Sequence, residues 1–581
     1  MGTNNYQVKH IINDPATLVP ESIQGLCYAN PNLRWIEDTK VVCSVNASEI
    51  ASEQVTLIAG GGAGHEPAYA GYVGPGMLTA AVCGHVFASP SAIQVLQALE
   101  CVQSPHGTLV IVMNYTGDCL NFGLAVERAK ARGIKVGMVI IGDDVSVGRQ
   151  SKVGRRGMAA TALAVKMAGA AAARGEPLEK VIQVAEYVNK YAATLGVALD
   201  HCHVPGSKPL TPLAPDKIEL GMGIHNEPGF SKTKLTSSHE LVGQIVDLIL
   251  KQDDKERSYL QLDGGTNKAV LMVNNLGGIS PLELNLVVKE AVSRISQNYQ
   301  LIQLERVYVG TFLTSMNMPG FSITFLLLEK DRDFDALSLL DHPTKAPAWP
   351  CVSTVAFAKN ITMSPPQRST EAHPALSAAP AQDTDSAKII KMVSSAATSV
   401  IDAEPEITRF DTILGDGDCG TTLKSAALAI LDSLDRYATK SPADTILGIA
   451  DTIERTVGGT SSAIYCIFLN ALAGGLAKHS NDWTKAASYA LDALESYTLA
   501  RVGDRTMMDA LIPFIEILQH SSFEQAVQAA KQGAESTRYL AAQMGRASYV
   551  ASEVVEKAKL PDAGAWGIAA LVQGLYNGWA S

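Results

Sequence analysis

Residues 55–67 read Val-Thr-Leu-Ile-Ala-Gly-Gly-Gly-Ala-Gly-His-Glu-Pro. A short apolar run, Val55 to Ala59, passes directly into a glycine-rich turn that carries a histidine. The pattern recurs: Leu109 to Val112 passes into Asn-Tyr-Thr-Gly-Asp, Val136 to Ile141 into Gly-Asp-Asp, and Ala269 to Val273 into Asn-Asn-Leu-Gly-Gly. Helical stretches separate these runs. Continuous apolar runs of this length, each ending in a polar loop, predict buried strands with ligand loops at their carboxyl ends, as in α/β sheets. Further along, Arg306 to Leu313 and Phe321 to Leu328 flank Asn317-Met318-Pro319-Gly320, which predicts a β-hairpin.

Outward from this region, 581 residues are too many for one hydrophobic core and imply two or three domains. The character of the sequence changes near residue 360. Residues 353–383 form a linker, rich in Pro, Ala and Ser from about residue 360 onward. Beyond it the pattern is helical almost throughout. Ile389, Val393, Ala396, Ala397 and Val400 recur at helix spacing, as do Leu423, Ala427, Ile430, Leu431 and Leu434. This part reads as an all-α domain, a barrel or a bundle.

Lys and Arg number 47 against 58 Asp and Glu, a net charge of −11. That balance argues against nucleic acid or an anionic membrane as the main partner. No apolar run approaches the length of a membrane span, and the start of the chain does not read as a secretory signal. The nine cysteines are scattered without a Cys-x-x-Cys pair, which fits reduced thiols in the cytosol. His201-Cys202-His203 resembles a ligand cluster only superficially, because three consecutive residues rarely face one ion.

Two groups of residues carry chemistry. In the first, Gly60 to Gly64 lack the spacing of a dinucleotide or P-loop site, but glycines such as Gly62 let backbone N–H groups approach a small ligand closely. His65, Asp118 and His225 are titratable groups on three loops, each bracketed by glycine. Converging at strand ends, they would form a reactive site.

In the second, Asp411, Asp416 and Asp418 fall within eight residues, interrupted by glycines. Such carboxylates repel one another without a cation and suit a hard divalent ion, Mg²⁺ or Ca²⁺, although EF-hand spacing is absent. Gly420-Thr421-Thr422 and Gly459-Thr460-Ser461-Ser462 precede apolar helical sequence. Free N–H groups at such helix starts, with hydroxyls beside them, can cradle phosphates.

GGGAGHEPAYAGYVGPGML, NYTGDCLNFGLA, GDDVSVGR, VPGSKP, GMGIHNEPG and VNNLGG resemble, in order, the substrate-binding half of the dihydroxyacetone kinase family. The resemblance covers residues 5–352 and implies two α/β subdomains divided near 195–205. It implies that His225 forms a hemiaminal with the substrate carbonyl, a bond that a polyol such as glycerol cannot make. Asp118 resembles the carboxylate that takes the proton from the attacking hydroxyl, and His65 a histidine that bonds substrate and supports the adduct. Gly62 contributes backbone contacts. The family usually has Lys before NYTGD; here that position is Met113, and Ala63 stands where Ser is common.

GDGDCG, VGGTSSAIY, GDRTMMDAL and GRASYV resemble the family's nucleotide-binding half, across residues 384–578. The resemblance implies an all-α helical barrel in which Asp411, Asp416 and Asp418 hold two Mg²⁺ ions that bridge the ATP phosphates. Gly420, Thr421, Thr422, Gly459, Thr460, Ser461, Ser462, Arg546, Asp562 and Gly564 are the implied ATP contacts. The family's usual DPGA appears as Asp562-Ala563-Gly564-Ala565. The whole then resembles a fused, cytoplasmic, homodimeric kinase that phosphorylates dihydroxyacetone and D-glyceraldehyde from Mg-ATP. Two alternatives stand beside it: cleavage of FAD by the nucleotide domain, and a non-catalytic regulatory relative weakened at Met113.

Overall fold

The computed structural model describes residues 9–208, 210–329, 333–350, 357–358, 361, 383–437, 441–544 and 557–581. The chain divides into two units, residues 1–361 and 362–581. Nearly all of the linker lies outside the described residues.

The first unit holds two six-stranded sheets. The first sheet comprises β1 (Leu33–Trp35), β2 (Val41–Ser44), β3 (Thr56–Ala63), β4 (Ala80–Val86), β5 (Thr108–Met113) and β6 (Val136–Ile141), in the order β1-β2-β4-β3-β5-β6. From β4 to β6 the pairs are parallel, and β1 and β2 form an antiparallel edge. Alternation decides the layers. Leu57, Ala59, Leu109, Ile111 and Met113 face one core with the helix Ala160–Ala173. Ile58, Val110 and Val112 face another with the helices Ala92–Val102 and Thr116–Ala131. With helices on both faces, the central strands are apolar at nearly every position after Thr56 and Thr108, which is why the runs were continuous.

β3 extends further than its sequence suggested. Gly60, Gly61 and Gly62 form the end of the strand rather than a turn after it. The pairing with β4 continues because a side chain on Gly60 would run into the Val82 carbonyl, so only glycine permits that approach.

The second sheet comprises β7 (Ala192–Ala198), β8 (Lys217–Leu220), β9 (Ser231–Lys234), β10 (Asn267–Asn275), β11 (Ile302–Gly310) and β12 (Gly320–Leu328), in the order β11-β10-β12-β7-β8-β9. The helices Ser238–Leu250 and Pro281–Asn298 cover one face. The expected hairpin does not form: β10 lies between β11 and β12, parallel to the first and antiparallel to the second. The apolar β10 needs a neighbour on each edge, and the connection from Thr311 to Pro319 crosses over it instead of turning tightly. That crossing segment reaches the functional site.

In the second unit, eight helices of the described residues close a ring. They are Asp383–Leu414, Cys419–Asp432, Pro442–Thr456, Gly459–Lys478, Trp483–Glu495, Met508–His520, Phe523–Ser536 and Ala563–Ala580. Each packs on its neighbour in chain order, and the last returns to the first. Closure depends on glycine: a Cβ on Gly574 would sit 2.6 Å from the Ala396 Cα, and one on Gly578 would sit 2.6 Å from the Met392 Cα. The ring surrounds an apolar cavity of about 710 Å³, with Ile446, Ile449, Phe468, Leu472 and Leu511 among its walls. Among the described residues no helix is long and apolar enough to cross a membrane.

Candidate active site

The loop after β3 meets the segment after β11. His65 is buried, and its Nδ1 lies 2.8 Å from the Thr314 carbonyl. Met316 N donates to Gly64 O at 2.7 Å, and Thr314 Oγ1 donates to Glu66 O at 2.8 Å. The Gly64 N–H is taken by the Glu66 carboxylate at 2.9 Å. Gly64 has φ +99, in the left-handed region, and a Cβ there would strike the Phe87 ring. A Cβ on Gly62 would come within 2.7 Å of Ala88 N, so the two glycines let the chain fold tightly around Phe87.

His225 arrives from the loop after β8. Asn226, at φ 64, turns the backbone back so that Gly223 N bonds Glu227 O at 2.9 Å. The Asn226 side chain ties this loop to the backbone of Cys202, at 2.9 and 3.1 Å. His201-Cys202-His203 is thus part of a strap, with Cys202 buried. His225 Nε2 lies 3.0 Å from His65 Nε2, and its Nδ1 lies 2.7 Å from Glu227 Oε1. Phe87 and Tyr115 meet the His225 ring edge-on, each with centroids 4.9 Å away. Burial, and then the charge of His225, lower His65 to about 3, so it is held neutral.

Asp118 sits in the first turn of the helix Thr116–Ala131 and is buried. Its Oδ1 has no hydrogen-bond partner, and neither has the nearby buried hydroxyl of Tyr69; both residues flank Gly61. Burial pushes the Asp118 carboxyl above its ordinary range, against the pull of the Ser89 hydroxyl and of His225. A carboxyl so placed can accept a proton from a bound hydroxyl near neutral pH. The charge of His225 acts on both His65 and Asp118, so the three sequence-chosen groups share one site.

Met113 ends β5 and is 2 % exposed, packed in the apolar layer over Gly157. Sequence reasoning missed Glu227, although it stands within the quoted GMGIHNEPG. It also missed Ser89, Phe87 and the Thr314 carbonyl. Arg156 stands behind Glu227, paired with Asp144 at 2.7 Å.

In the second unit, Asp411 lies near the end of the helix Asp383–Leu414, Asp416 on the following loop, and Asp418 at the cap of the helix Cys419–Asp432. Their ligand atoms lie within 4.8 Å of one another, the one such group among the described residues. Asp411 Oδ2 accepts from Cys419 N at 3.0 Å, which draws the two helix ends together. Three hard oxygen donors at this separation fit Mg²⁺. Gly420 approaches Thr408 so closely that a side chain would clash. Thr421 Oγ1 bonds back to Asp418 O at 2.9 Å, and Thr422 N to Asp418 O at 2.9 Å.

Gly459, at φ 86, opens its helix with Thr460 and Ser461 in the first turn, and Ser462 Oγ bonds Val457 O at 3.0 Å. Thr422 and Ser462 border the same cavity. Asp562 caps the helix Ala563–Ala580 through Ala565 N at 2.8 Å, beside Gly564. Burial raises the Asp562 carboxyl to about 6, and the charge of Asp411 adds to the rise. Arg546 lies outside the described residues.

A Dak1 domain model matches residues 24–348 and a DAK2 domain model residues 413–577. Dihydroxyacetone kinase 2 of Saccharomyces cerevisiae is 42% identical over 96% of this chain and 97% of its own length. The chain belongs to the dihydroxyacetone kinase family. Human triokinase/FMN cyclase is 37% identical over 98% of each chain. The dihydroxyacetone kinase of C. freundii, solved in its native form and in complex with AMP-PNP and Mg²⁺, matches at a TM-score of 0.69 and 33% identity. That match covers 98% of this chain and 100% of the other. The family's two-part architecture, an α/β region of two sheets followed by a helical region, is the architecture described above.

Proposed function

We propose that this chain transfers the γ-phosphoryl group of ATP to dihydroxyacetone and to D-glyceraldehyde, held as a hemiaminal on His225. The observation that carries this reading is the array of buried His65 and half-buried His225 and Glu227 beside buried Asp118, whose Oδ1 lacks a partner. An imidazole nitrogen adds to a ketone or aldehyde but not to glycerol, so capture selects by reactivity. Asp118 takes the proton of the terminal hydroxyl as that oxygen attacks phosphorus. Phe87 and Tyr115, each edge-on to the His225 ring, wall the adduct.

Residues 5–352 serve as the acceptor-binding domain, 353–383 as the linker and 384–578 as the nucleotide-binding domain. Asp411, Asp416 and Asp418 would hold two Mg²⁺ ions, which neutralise phosphate charge when bound. The phosphates lie along Gly420 to Thr422 and Gly459 to Ser462, whose helix starts present backbone N–H groups. Arg546, Asp562 and Gly564 complete the ATP contacts. Family resemblance supports a cytoplasmic homodimer.

Cleavage of FAD by the same nucleotide domain is supported by the similarity to a protein named triokinase/FMN cyclase. The complete array of His65, Asp118 and His225 and the three close aspartates argue against a non-catalytic role.

The test is ADP release from Mg-ATP with dihydroxyacetone, glyceraldehyde and glycerol, repeated with His225→Ala. Turnover on the two carbonyl compounds, little on glycerol, and loss in the variant support the reading. Equal turnover on glycerol would overturn capture, and FAD cleavage with Mn²⁺ but no ADP release would replace the kinase.

A further inference from the structure

The acceptor site makes more ring hydrogen bonds than two neutral imidazoles have protons to fill. His65 Nδ1 lies 2.8 Å from the Thr314 carbonyl, which can only accept, so this nitrogen carries a proton. His225 Nδ1 lies 2.7 Å from Glu227 Oε1. Glu227 also accepts the backbone N–H of His225. Burial pushes the Glu227 carboxyl up, but the hydrogen bond and charge of His225 outweigh it and hold it below its usual range. Glu227 is therefore an ionised acceptor, and His225 Nδ1 also carries a proton. The two Nε2 atoms then face each other at 3.0 Å. Two lone pairs at that distance repel, whereas one N–H between them bonds. The count is three ring protons, and two neutral imidazoles hold two.

We propose that His65 and His225 share a third proton in an Nε2–H···Nε2 bridge, and that Glu227 is the positioning residue that balances its charge and leaves His225 Nε2 as the reacting atom. This rests on the capture of the carbonyl by His225 set out above. The charged and titratable groups around the bridge are Asp118, Tyr115 and Glu227, with Arg156 behind Glu227. His65, kept neutral by burial, is the accepting side.

The bridge makes capture self-contained. Its proton passes wholly to His65 Nε2, which frees the lone pair on His225 Nε2. That pair forms the C–N bond while the carbonyl π electrons move to oxygen. His65 Nε2 then gives the proton to that oxygen. The product is a carbinol on an Nε2-substituted imidazolium whose Nδ1–H still faces Glu227. One positive and one negative charge stand before and after the step, and no proton is exchanged with solvent. A neutral pair would instead have to draw one proton from water for each adduct.

¹⁵N-histidine NMR of the substrate-free chain near neutral pH reads the bridge directly, with His65→Gln and His225→Gln spectra providing assignments. Three protonated ring nitrogens across the pair are expected; two would overturn the proposal. Calorimetric titration with dihydroxyacetone in two buffers of different ionisation enthalpy then counts protons, while ¹³C NMR of the labelled ketone separately reports the adduct. Adduct without net proton exchange is expected, and adduct with uptake of about one proton per site would overturn the bridge. Absence of adduct would sink the capture reading, and the ¹⁵N count would still decide the bridge.

Glu227→Gln keeps an oxygen acceptor but removes the charge. It is expected to lower kcat/KM on the order of 100-fold, with activity recovering as pH falls. Glu227→Asp is expected to restore much of the loss. A pH-independent loss in Glu227→Gln would make the role purely structural and overturn the assignment.

Discussion

The backbone carbonyl of Thr314, beyond the end of β11, takes the Nδ1 proton of His65, beyond the end of β3. One sheet thereby sets the tautomer of a histidine carried by the other. The bond also has a thermodynamic side. His65 is lowered from 6.5 to about 3, chiefly by burial. Between those values the unfolded chain binds a proton that the folded chain refuses. Its contribution is fully present above about pH 6.5 and is lost as pH falls toward 3. Urea midpoints of the first unit are expected to fall over this window, and His65→Gln to flatten the dependence.

Asp118→Asn is expected to keep the adduct but lower kcat by about 10²–10⁴-fold, the usual worth of a general base. The check is ¹³C detection of bound ketone alongside ADP release. Because burial raises the Asp118 carboxyl, the acid limb of kcat in the parent chain is expected above the ordinary carboxylate range. Asp118 acts as base only when ionised, so turnover is lost as pH falls through that limb.

Met113→Lys places an ammonium in a layer where the native side chain is 2 % exposed. A loss of about 2 kcal/mol or more in urea unfolding is expected, with no gain in kcat. A rise in kcat would show that the lysine stem reaches the Asp118 side of the strand.

At the second site, Asp416→Asn is expected to lower ADP release by at least about 100-fold and to abolish the rise in melting temperature that Mg²⁺ gives the parent chain. Without divalent metal the same variant is expected to melt slightly higher, because one of three mutually repelling carboxylates is gone.

In the first sheet β3, β5 and β6 were legible and β1, β2 and β4 were not; both faces of β5 are covered, so Leu109 to Val112 could only read as a continuous apolar run. His65, Asp118 and His225 were legible because titratable residues stood between glycines. Glu227 was not, although it lay in a quoted motif: its role depends on the left-handed turn at Asn226, which aims the carboxylate at Nδ1. Thr314 acts through its carbonyl, so its side chain gave no signal. The pairing of β11 and β12 was misread because the Asn317 to Gly320 turn reports a change of direction and not the neighbour. The second unit read from its residues as a barrel or a bundle, and the family resemblance implied the barrel; the closure itself had no local signal, since the contacts of Gly574 and Gly578 with the first helix join the two ends of the unit.

Those two glycines impose an order of assembly. The helix Asp383–Leu414 is made first and Ala563–Ala580 last, so during synthesis the first helix waits with one flank uncovered until the final helix emerges. Until then the surfaces that end as a cavity of about 710 Å³ form an open greasy trough. Nascent chains halted before Gly574 are therefore the species most exposed to aggregation and to chaperone capture. A bulkier side chain at Gly574 would prolong that exposure, appearing as lower soluble yield even where the mature ring still closes.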